Sequence, residues 1–185
     1  MVTDDRELVA RQLGRPPRAF RRVAVRCPFG APAVTEQAAY DEDGKPFPTT
    51  YYLTCPQLVA AVARLEAGGG VERWSAELDE DAGLLADLER ATAEQRRVRR
   101  ELAAGQRGED GGSSLELGIG GSANPLRLKC LHAHVAYGLA NPGYILAERI
   151  LQGLEPLWPA RECCTRLAGA RRGSAEGGSS ARENP

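Results

Sequence analysis

TTYYLTCPQLVAAVARLEA, residues 49–67, decides the fold, because its pattern changes from strand to helix at one point. Apart from one leucine, its first six residues are β-branched or aromatic, which is typical of a strand. Pro56 then occupies a first helical position, and the apolar residues after it recur at helical spacing. These are Leu58, Val59, Val62 and Leu65. We therefore predict a strand that runs into Cys55 and a helix that ends before Gly68.

Two further strands are predicted upstream of this segment. The first ends at Cys27, and the Pro-Phe-Gly-Ala-Pro turn at 28–32 leads into a second strand over residues 33–40. Asp43-Gly44 marks the next reversal. Together with the segment quoted above, these strands form a three-stranded antiparallel meander.

The meander places two cysteines at one edge of the sheet. Its first and third strands run in the same direction, and each is followed by a Cys-Pro pair, Cys27-Pro28 and Cys55-Pro56. If the second strand lies between them, the backbones of these cysteines are about 9 to 10 Å apart, from two strand spacings. Side chains from other elements are needed to close that gap.

Helical patterns account for most of the remaining chain, so we expect an α+β fold class that is mainly helical, with the small meander packed against several helices. Further helices are predicted over residues 3–13, 71–79, 81–104, 126–140 and 144–153.

The domain organisation follows from composition. We expect an N-terminal helix within residues 1–14 and a single α+β domain over residues 15–168. Within it, the Gly- and Ser-rich residues 105–123 predict a flexible loop. The Gly- and Ser-rich residues 169–185 predict a disordered tail, because they hold too little apolar surface to order themselves.

The charge balance restricts the partners of the chain. Its 24 basic and 25 acidic side chains give a net charge of −1, which produces no general attraction to nucleic acid or anionic membranes. The start is acidic, and the chain lacks a run of about 18 apolar residues, so we expect a cytoplasmic protein that does not enter a membrane. Five cysteines in such a protein are expected to be reduced thiols, metal ligands or redox groups.

Three patterns are expected to lack a binding role. GIGGSA at 118–123 formally matches a dinucleotide motif, but Asn124-Pro125 interrupts the helix that such a site needs. Five arginines between Arg15 and Arg26 are predicted to form a solvated or ion-paired face instead of a phosphate or RNA site. The arginines of 96–100 are likewise predicted to be solvated. Neither a dinucleotide nor nucleic acid is an expected partner.

The candidate site is a metal site built from dispersed cysteines and a histidine. Thiolate and imidazole ligands suit Zn²⁺ and, as a second choice, an iron–sulfur cluster. The candidate ligands are Cys27, Cys55, Cys130, His132, His134 and Cys163, with Cys164 as the alternative to Cys163. No Cys-x-x-Cys pair is present, so each ligand must come from a separate element, and packing of the cysteines as small apolar residues stays open.

The choice of histidine depends on where a helix begins. On a regular helix Cys130 and His134 share a face, whereas His132 points away. His132 joins the site only if Cys130 precedes or opens the helix.

Two other classes of function are also compatible with the sequence. Cys55 lies at the predicted start of a helix, where the helix dipole lowers the pKa of a thiol. This position would fit a cysteine-dependent enzyme in which a histidine acts as the base. Alternatively, the charged helix over 81–104 or the Arg15–Arg26 surface would serve a non-enzymatic module that binds a protein partner.

Several segments together resemble the bacterial domain of unknown function 501 family. They are LGRPPR (13–18), RCPFGAPAV (26–34), DGKPFPTTYYLTCP (43–56), RLEAGG (64–69), KCLH (129–132) and NPG (141–143). The resemblance covers roughly residues 8–165.

The resemblance implies a bacterial, actinobacterial-like protein and no particular activity. Family genes often lie near those of a septum-formation initiator protein and an exopolyphosphatase, which hints at a link to cell division. The family motifs fall on Cys27, Cys55, Cys130 and His132, with a further match at Cys163 or Cys164, so the resemblance favours His132 over His134. Our interpretation is a cytoplasmic metal-binding protein, with zinc preferred over iron–sulfur and a structural or catalytic role left open.

Overall fold

The computed structural model describes residues 4–164. Within them, six α-helices and three β-strands form an α+β fold that is mainly helical, as predicted. The elements are α1 Asp5–Leu13, β1 Phe20–Arg26, β2 Pro32–Gln37, β3 Tyr51–Leu53, α2 Pro56–Ala67, α3 Gly70–Glu80, α4 Ala82–Ala103, α5 Leu131–Ala140 and α6 Ile145–Gln152. The predicted tail over 169–185 lies outside the described residues.

The sheet is the predicted meander. Its strand order is β1-β2-β3, and both pairings are antiparallel, with Val34 opposite Val25 on one side and Leu53 on the other. The backbone N–H of Cys27 donates to the carbonyl of Ala31 (2.9 Å). Cys27 directly follows β1 and Cys55 lies two residues after β3, so the same sheet edge leads into both cysteines.

Helix α5 covers this sheet and α2 packs against α5, and these two helices define the site. Pro56 is the first residue of α2, which has the predicted bounds and buries Leu58 and Val62 completely. Helix α5 packs on β3, where the Tyr51 and Tyr137 rings meet edge to face with centroids 5.9 Å apart. Its apolar sequence matches this position, since seven of its ten residues are buried.

The start of α5 differs from the prediction. The predicted helix over 126–140 begins only at Leu131, because Asn124-Pro125 starts a turn. The Asn124 side chain accepts the N–H of Leu126 (3.2 Å) and its carbonyl accepts that of Arg127 (3.1 Å). Cys130 therefore lies before the helix and has an extended backbone. This is the condition under which His132 was predicted to share a site with Cys130.

The second half of the Gly-rich segment 105–123 is folded onto the core. It forms two short 3₁₀ turns, Ser113–Glu116 and Ile119–Gly121, and Ile119 is buried. Gly120 has a positive φ of 72°, and a Cβ there would lie 3.0 Å from the Cβ of Ala133. Glycine thus allows this backbone to approach α5 closely. The sequence composition did not indicate this packing, and the predicted flexibility of residues 105–123 stays a prediction.

The prediction that the arginines of 96–100 are solvated is wrong for Arg99. Arg99 is 1% exposed, and its guanidinium donates to the carbonyl of Phe47 (2.9 Å). Arg99 lies at helical spacing from Leu88 and Gln95, so it belongs to the same buried face of α4. In the N-terminal arginine cluster, Arg22 pairs with Glu36 (2.5 Å), in line with the predicted ion-paired face. None of the helices within residues 4–164 has the length and apolar character needed to cross a membrane.

Candidate metal centre

Three ligand-type side chains meet where the end of α2 faces the start of α5. The Nδ1 atom of His132 lies 3.1 Å from a carboxylate oxygen of Glu66 and 3.7 Å from the Sγ of Cys130. One ligand atom from each residue lies within 4.8 Å of the others. In the described part of the chain, no other group of three or more Cys, His, Asp or Glu side chains is this close.

The backbone around α5 positions two of these groups. Cys130 is the residue before the helix and has φ −160° and ψ 121°, so its side chain is directed differently from those of the helix. One oxygen of Glu66 accepts the N–H of Leu131 (2.6 Å), a free donor in the first turn of α5. The other oxygen of Glu66 faces His132. Glu66 thus fixes the two helices relative to each other and keeps one oxygen available.

The imidazole of His132 is held at both nitrogens. Its Nε2 lies 3.1 Å from the carbonyl oxygen of Val59, an acceptor, so Nε2 carries a hydrogen and donates it. This bond fixes the ring orientation and leaves Nδ1 to face both Cys130 and Glu66. A carbonyl that orients the second nitrogen is the usual environment of a metal-bound histidine.

The electrostatics of the cluster favour a positive charge. The hydrogen bond with Cys130 and the nearby Glu66 carboxylate raise the pKa of His132 to about 9, although burial alone would lower it. In the metal-free protein a proton on Nδ1 supplies the positive charge. A metal ion bound by the same three atoms would replace that proton.

The spacings match a tetrahedral zinc ion. With Zn–S at about 2.3 Å and Zn–N at about 2.05 Å, a tetrahedron separates sulfur and nitrogen by about 3.6 Å. The observed separation of Sγ and Nδ1 is 3.7 Å. Equal Zn–N and Zn–O bonds would place the Nδ1 atom and the carboxylate oxygen about 3.3 Å apart, and their observed separation is 3.1 Å. Both separations that involve His132 are thus close to those of a tetrahedral site, and the sulfur of Cys130 and the carboxylate of Glu66 lie within 4.8 Å of each other.

A cavity lies beside the cluster. Its volume is about 560 Å³, which is within the range of small-molecule sites, and both Cys130 and His132 form part of its wall. Most of the lining surface is apolar, and β3 and α2 both contribute to it. Thr54 also lines it, but its hydroxyl oxygen is buried and has no hydrogen-bond partner within the protein. Polar groups for a bound molecule would therefore come from other lining residues, among them Gln12, Thr49 and Tyr52.

His134 occupies a different environment. It is 1% exposed, and its Nδ1 lies 2.8 Å from the hydroxyl of Tyr144. Burial lowers its pKa to about 3, so the ring is neutral at physiological pH. The structure does not bring His134 to the Cys130 thiol, because the helix begins after Cys130.

The other predicted ligands form a separate group at the opposite end of α2. The thiols of Cys55 and Cys164 are 3.5 Å apart, and those of Cys27 and Cys163 interact with each other. Cys55 precedes α2, whereas Glu66 lies in its last turn, about 16 Å away along the axis. The structure thus divides the predicted ligands among three places.

The Cys55 environment does not suit a nucleophile. The thiol is 2% exposed, and burial raises its pKa to about 12 despite backbone hydrogen bonds at the helix start. A reactive thiol is instead accessible and has a lowered pKa.

Glu66 is the site residue that the sequence analysis missed. It follows Val59 by seven residues, so it lies on the same side of α2 as part of the apolar stripe. A carboxylate at such a position is a recognisable exception to amphipathic patterning, and it could have been selected on that ground.

The fold and the site define a small α+β protein with a carboxylate, a thiol and an imidazole grouped beside a substrate-sized cavity. The chain belongs to a protein family of unknown function, DUF501, whose family model matches residues 23–148. The matched range includes all three residues of the cluster and ends before Cys163. No curated protein and no solved structure matches the chain.

Proposed function

We propose that the protein binds Zn²⁺ through Glu66, Cys130 and His132 and uses it as a catalytic-type metal centre. The observation that carries this proposal is that a single imidazole nitrogen, Nδ1 of His132, faces both the thiol and the carboxylate. Three ligand atoms that converge on one point are what a metal ion requires.

The same observation argues against a catalytic triad. In a triad the histidine uses one ring nitrogen for the nucleophile and the other for the carboxylate. Here Nε2 of His132 is taken by the carbonyl of Val59, so the carboxylate cannot orient the ring from the far side. A metal centre accounts for all three contacts of the imidazole.

Zinc fits better than an iron–sulfur cluster. The centre offers one thiolate, one imidazole and one carboxylate, whereas most iron–sulfur clusters are held by four thiolates. Zinc accepts exactly such mixed sulfur, nitrogen and oxygen ligands.

The surroundings support a catalytic over a purely structural role. Three protein ligands leave one position of a tetrahedral ion for water, and the ion lowers the pKa of that water. The side chains of His132 and Glu66 are about a quarter exposed, at 24% and 25%, so water reaches them. The mostly apolar cavity, with polar side chains such as Gln12 and Thr49 in its wall, fits a small, largely uncharged substrate with a hydrogen-bonding group. Hydrolysis by zinc-bound water is the reaction class that follows.

Elemental analysis of the full chain, purified without added metal, tests this function. We expect H132N, C130S and E66Q each to lose one equivalent of zinc relative to the wild type. The matched control is E80Q, which changes an exposed glutamate in α3 and should keep the full zinc content. Unchanged zinc content in H132N and C130S, measured with folded protein, would refute the proposal.

A further inference from the structure

Four cysteines form two contacting pairs near the beginning of α2, away from the Glu66 cluster. Cys55 pairs with Cys164 at an Sγ–Sγ distance of 3.5 Å, and Cys27 interacts with Cys163. Because Cys163 and Cys164 are neighbours, with Cα atoms about 3.8 Å apart, the two pairs form one group. The group is built from two sheet-edge residues and one C-terminal segment.

Backbone N–H groups adjoin the two sheet-edge cysteines, those of Phe29 and Ala31 at Cys27 and those of Gln57 and Leu58 at Cys55. They only partly offset burial, which raises the pKa of both thiols, so both are neutral in the metal-free protein. The same donors would stabilise the thiolates once a metal ion replaces the thiol protons.

The Sγ atoms of Cys55 and Cys164 are 3.5 Å apart, a distance that can be compared with those in a disulfide and in a zinc site. A disulfide requires sulfur atoms about 2.05 Å apart. Two thiolates on one tetrahedral zinc ion are about 3.8 Å apart, from Zn–S bonds of about 2.3 Å. The observed distance is close to the second value.

We propose that Cys27, Cys55, Cys163 and Cys164 together bind one Zn²⁺ ion in a closed, structural site. Binding forms four Zn–S bonds and releases the four thiol protons to solvent, so no oxidant or reductant is involved. In the described residues no three of these sulfur atoms lie within 4.8 Å of one another. Rotation of the side chains about their χ1 bonds must therefore bring the two pairs together when the ion binds.

The function of this second site is to attach the C-terminal segment to the sheet edge. The only other polar link described at this junction is weak: the Gln57 side chain donates to the carbonyls of Pro156 and Leu157 at 3.4 and 3.3 Å. An ion bound by Cys163 and Cys164 would connect that segment to residues that follow β1 and β3. This inference does not depend on the Glu66 centre, since the two sites share no residue.

Zinc stoichiometry in single variants separates the two sites. We expect two zinc equivalents in the wild type. C55S and C164S should each keep one, bound at the Glu66 centre, and H132N should keep one, bound by the four cysteines. If the Glu66 centre alone fails, the wild type will contain one equivalent that C55S loses and H132N keeps. Full zinc content in C55S and C164S would overturn the four-cysteine site. A wild-type mass lower by four hydrogens, which indicates two disulfides, would overturn it as well.

Two measurements on the wild type keep the test valid if a variant does not fold. After replacement of zinc by Co²⁺, the sulfur-to-cobalt charge-transfer absorption should correspond to several thiolates, and a spectrum with the intensity of one thiolate contradicts the site. Trypsin should cleave after the exposed Arg161 at least tenfold faster once a chelator has removed the metal. Cleavage after Arg107, an exposed control site, should keep its rate. Equal acceleration at both positions would show general unfolding and contradict a local attachment.

Discussion

The two histidines of α5 are separated by one residue and have opposite electrostatic environments. His132 faces a carboxylate and a thiol, so its pKa is raised to about 9. His134 is enclosed by the core next to Tyr144, so burial lowers its pKa to about 3. Their effects on stability should therefore have opposite dependences on pH.

The metal-free protein should lose stability as pH rises because of His132. A histidine whose folded pKa lies above its ordinary value of 6.5 stabilises the fold fully below pH 6.5 and loses that contribution as pH approaches 9. Urea unfolding in the presence of a chelator should show a decline of up to about 3 kcal/mol over this range. H132N should lack the decline, and the same slope in both proteins would show that His132 is not so perturbed.

Acid should destabilise the protein through His134. The unfolded chain binds a proton on this residue below pH 6.5, whereas the folded protein resists protonation down to about pH 3. The resulting loss approaches about 1.4 kcal/mol per pH unit below pH 6.5 and amounts to about 2.3 kcal/mol between pH 6.5 and 4.5. H134Q keeps a polar partner for Tyr144 but cannot titrate, so its unfolding free energy should fall less over this interval. Parallel profiles would contradict a buried neutral histidine.

At the residue scale, the sequence predicted the types of ligand in the site but not the full set of residues that form it. It indicated Cys130 and His132 by residue type and by resemblance, and the structure places these two together. It did not indicate Glu66, because no local pattern shows that the last turn of α2 faces the start of α5. For the same reason it grouped Cys27 and Cys55 with Cys130, although α2 separates them.

The secondary-structure elements show where local sequence is sufficient. Pro56 and the glycines after Ala67 set the bounds of α2, and these bounds were predicted correctly. The start of α5 was predicted five residues too early, since residues 126–130 are compatible with a helix and only the turn at Asn124-Pro125 prevents it. That start matters for function, because it determines which histidine lies beside Cys130.

Packing between α5 and α6 depends on Gly138. A Cβ at this position would lie 2.1 Å from the Cβ of Ala147, so an alanine would push the helices apart. We expect G138A to lower the unfolding free energy by about 1 to 3 kcal/mol, even though alanine favours helices. Thermal or urea denaturation measures this change.

Gly68 is the matched control for this prediction. It is exposed, has a negative φ, and a Cβ there would make ordinary contacts at 3.5 Å. G68A should therefore change stability by less than about 0.5 kcal/mol. Equal effects of the two substitutions would contradict close packing at Gly138.

At the scale of the whole molecule, the two proposed ligand groups lie at opposite ends of α2 and share no residue. One group lies beside the cavity and includes a carboxylate and an imidazole. The other contains only cysteines and joins the sheet edge to residues 163–164. A use of the charged α4 surface for a protein partner stays a prediction, although Arg97 is already paired with Glu94.

Anomalous diffraction at the zinc absorption edge, on crystals of the full chain grown without chelator, tests whether Glu66, Cys130 and His132 bind zinc. We expect a zinc peak about 2.3 Å from the Sγ of Cys130 and about 2.0 to 2.2 Å from Nδ1 of His132 and one oxygen of Glu66. The fourth position should hold a water molecule on the cavity side. If Nδ1 of His132 instead donates a hydrogen bond to Glu66, and no anomalous peak lies between the three residues, these residues do not form a zinc site.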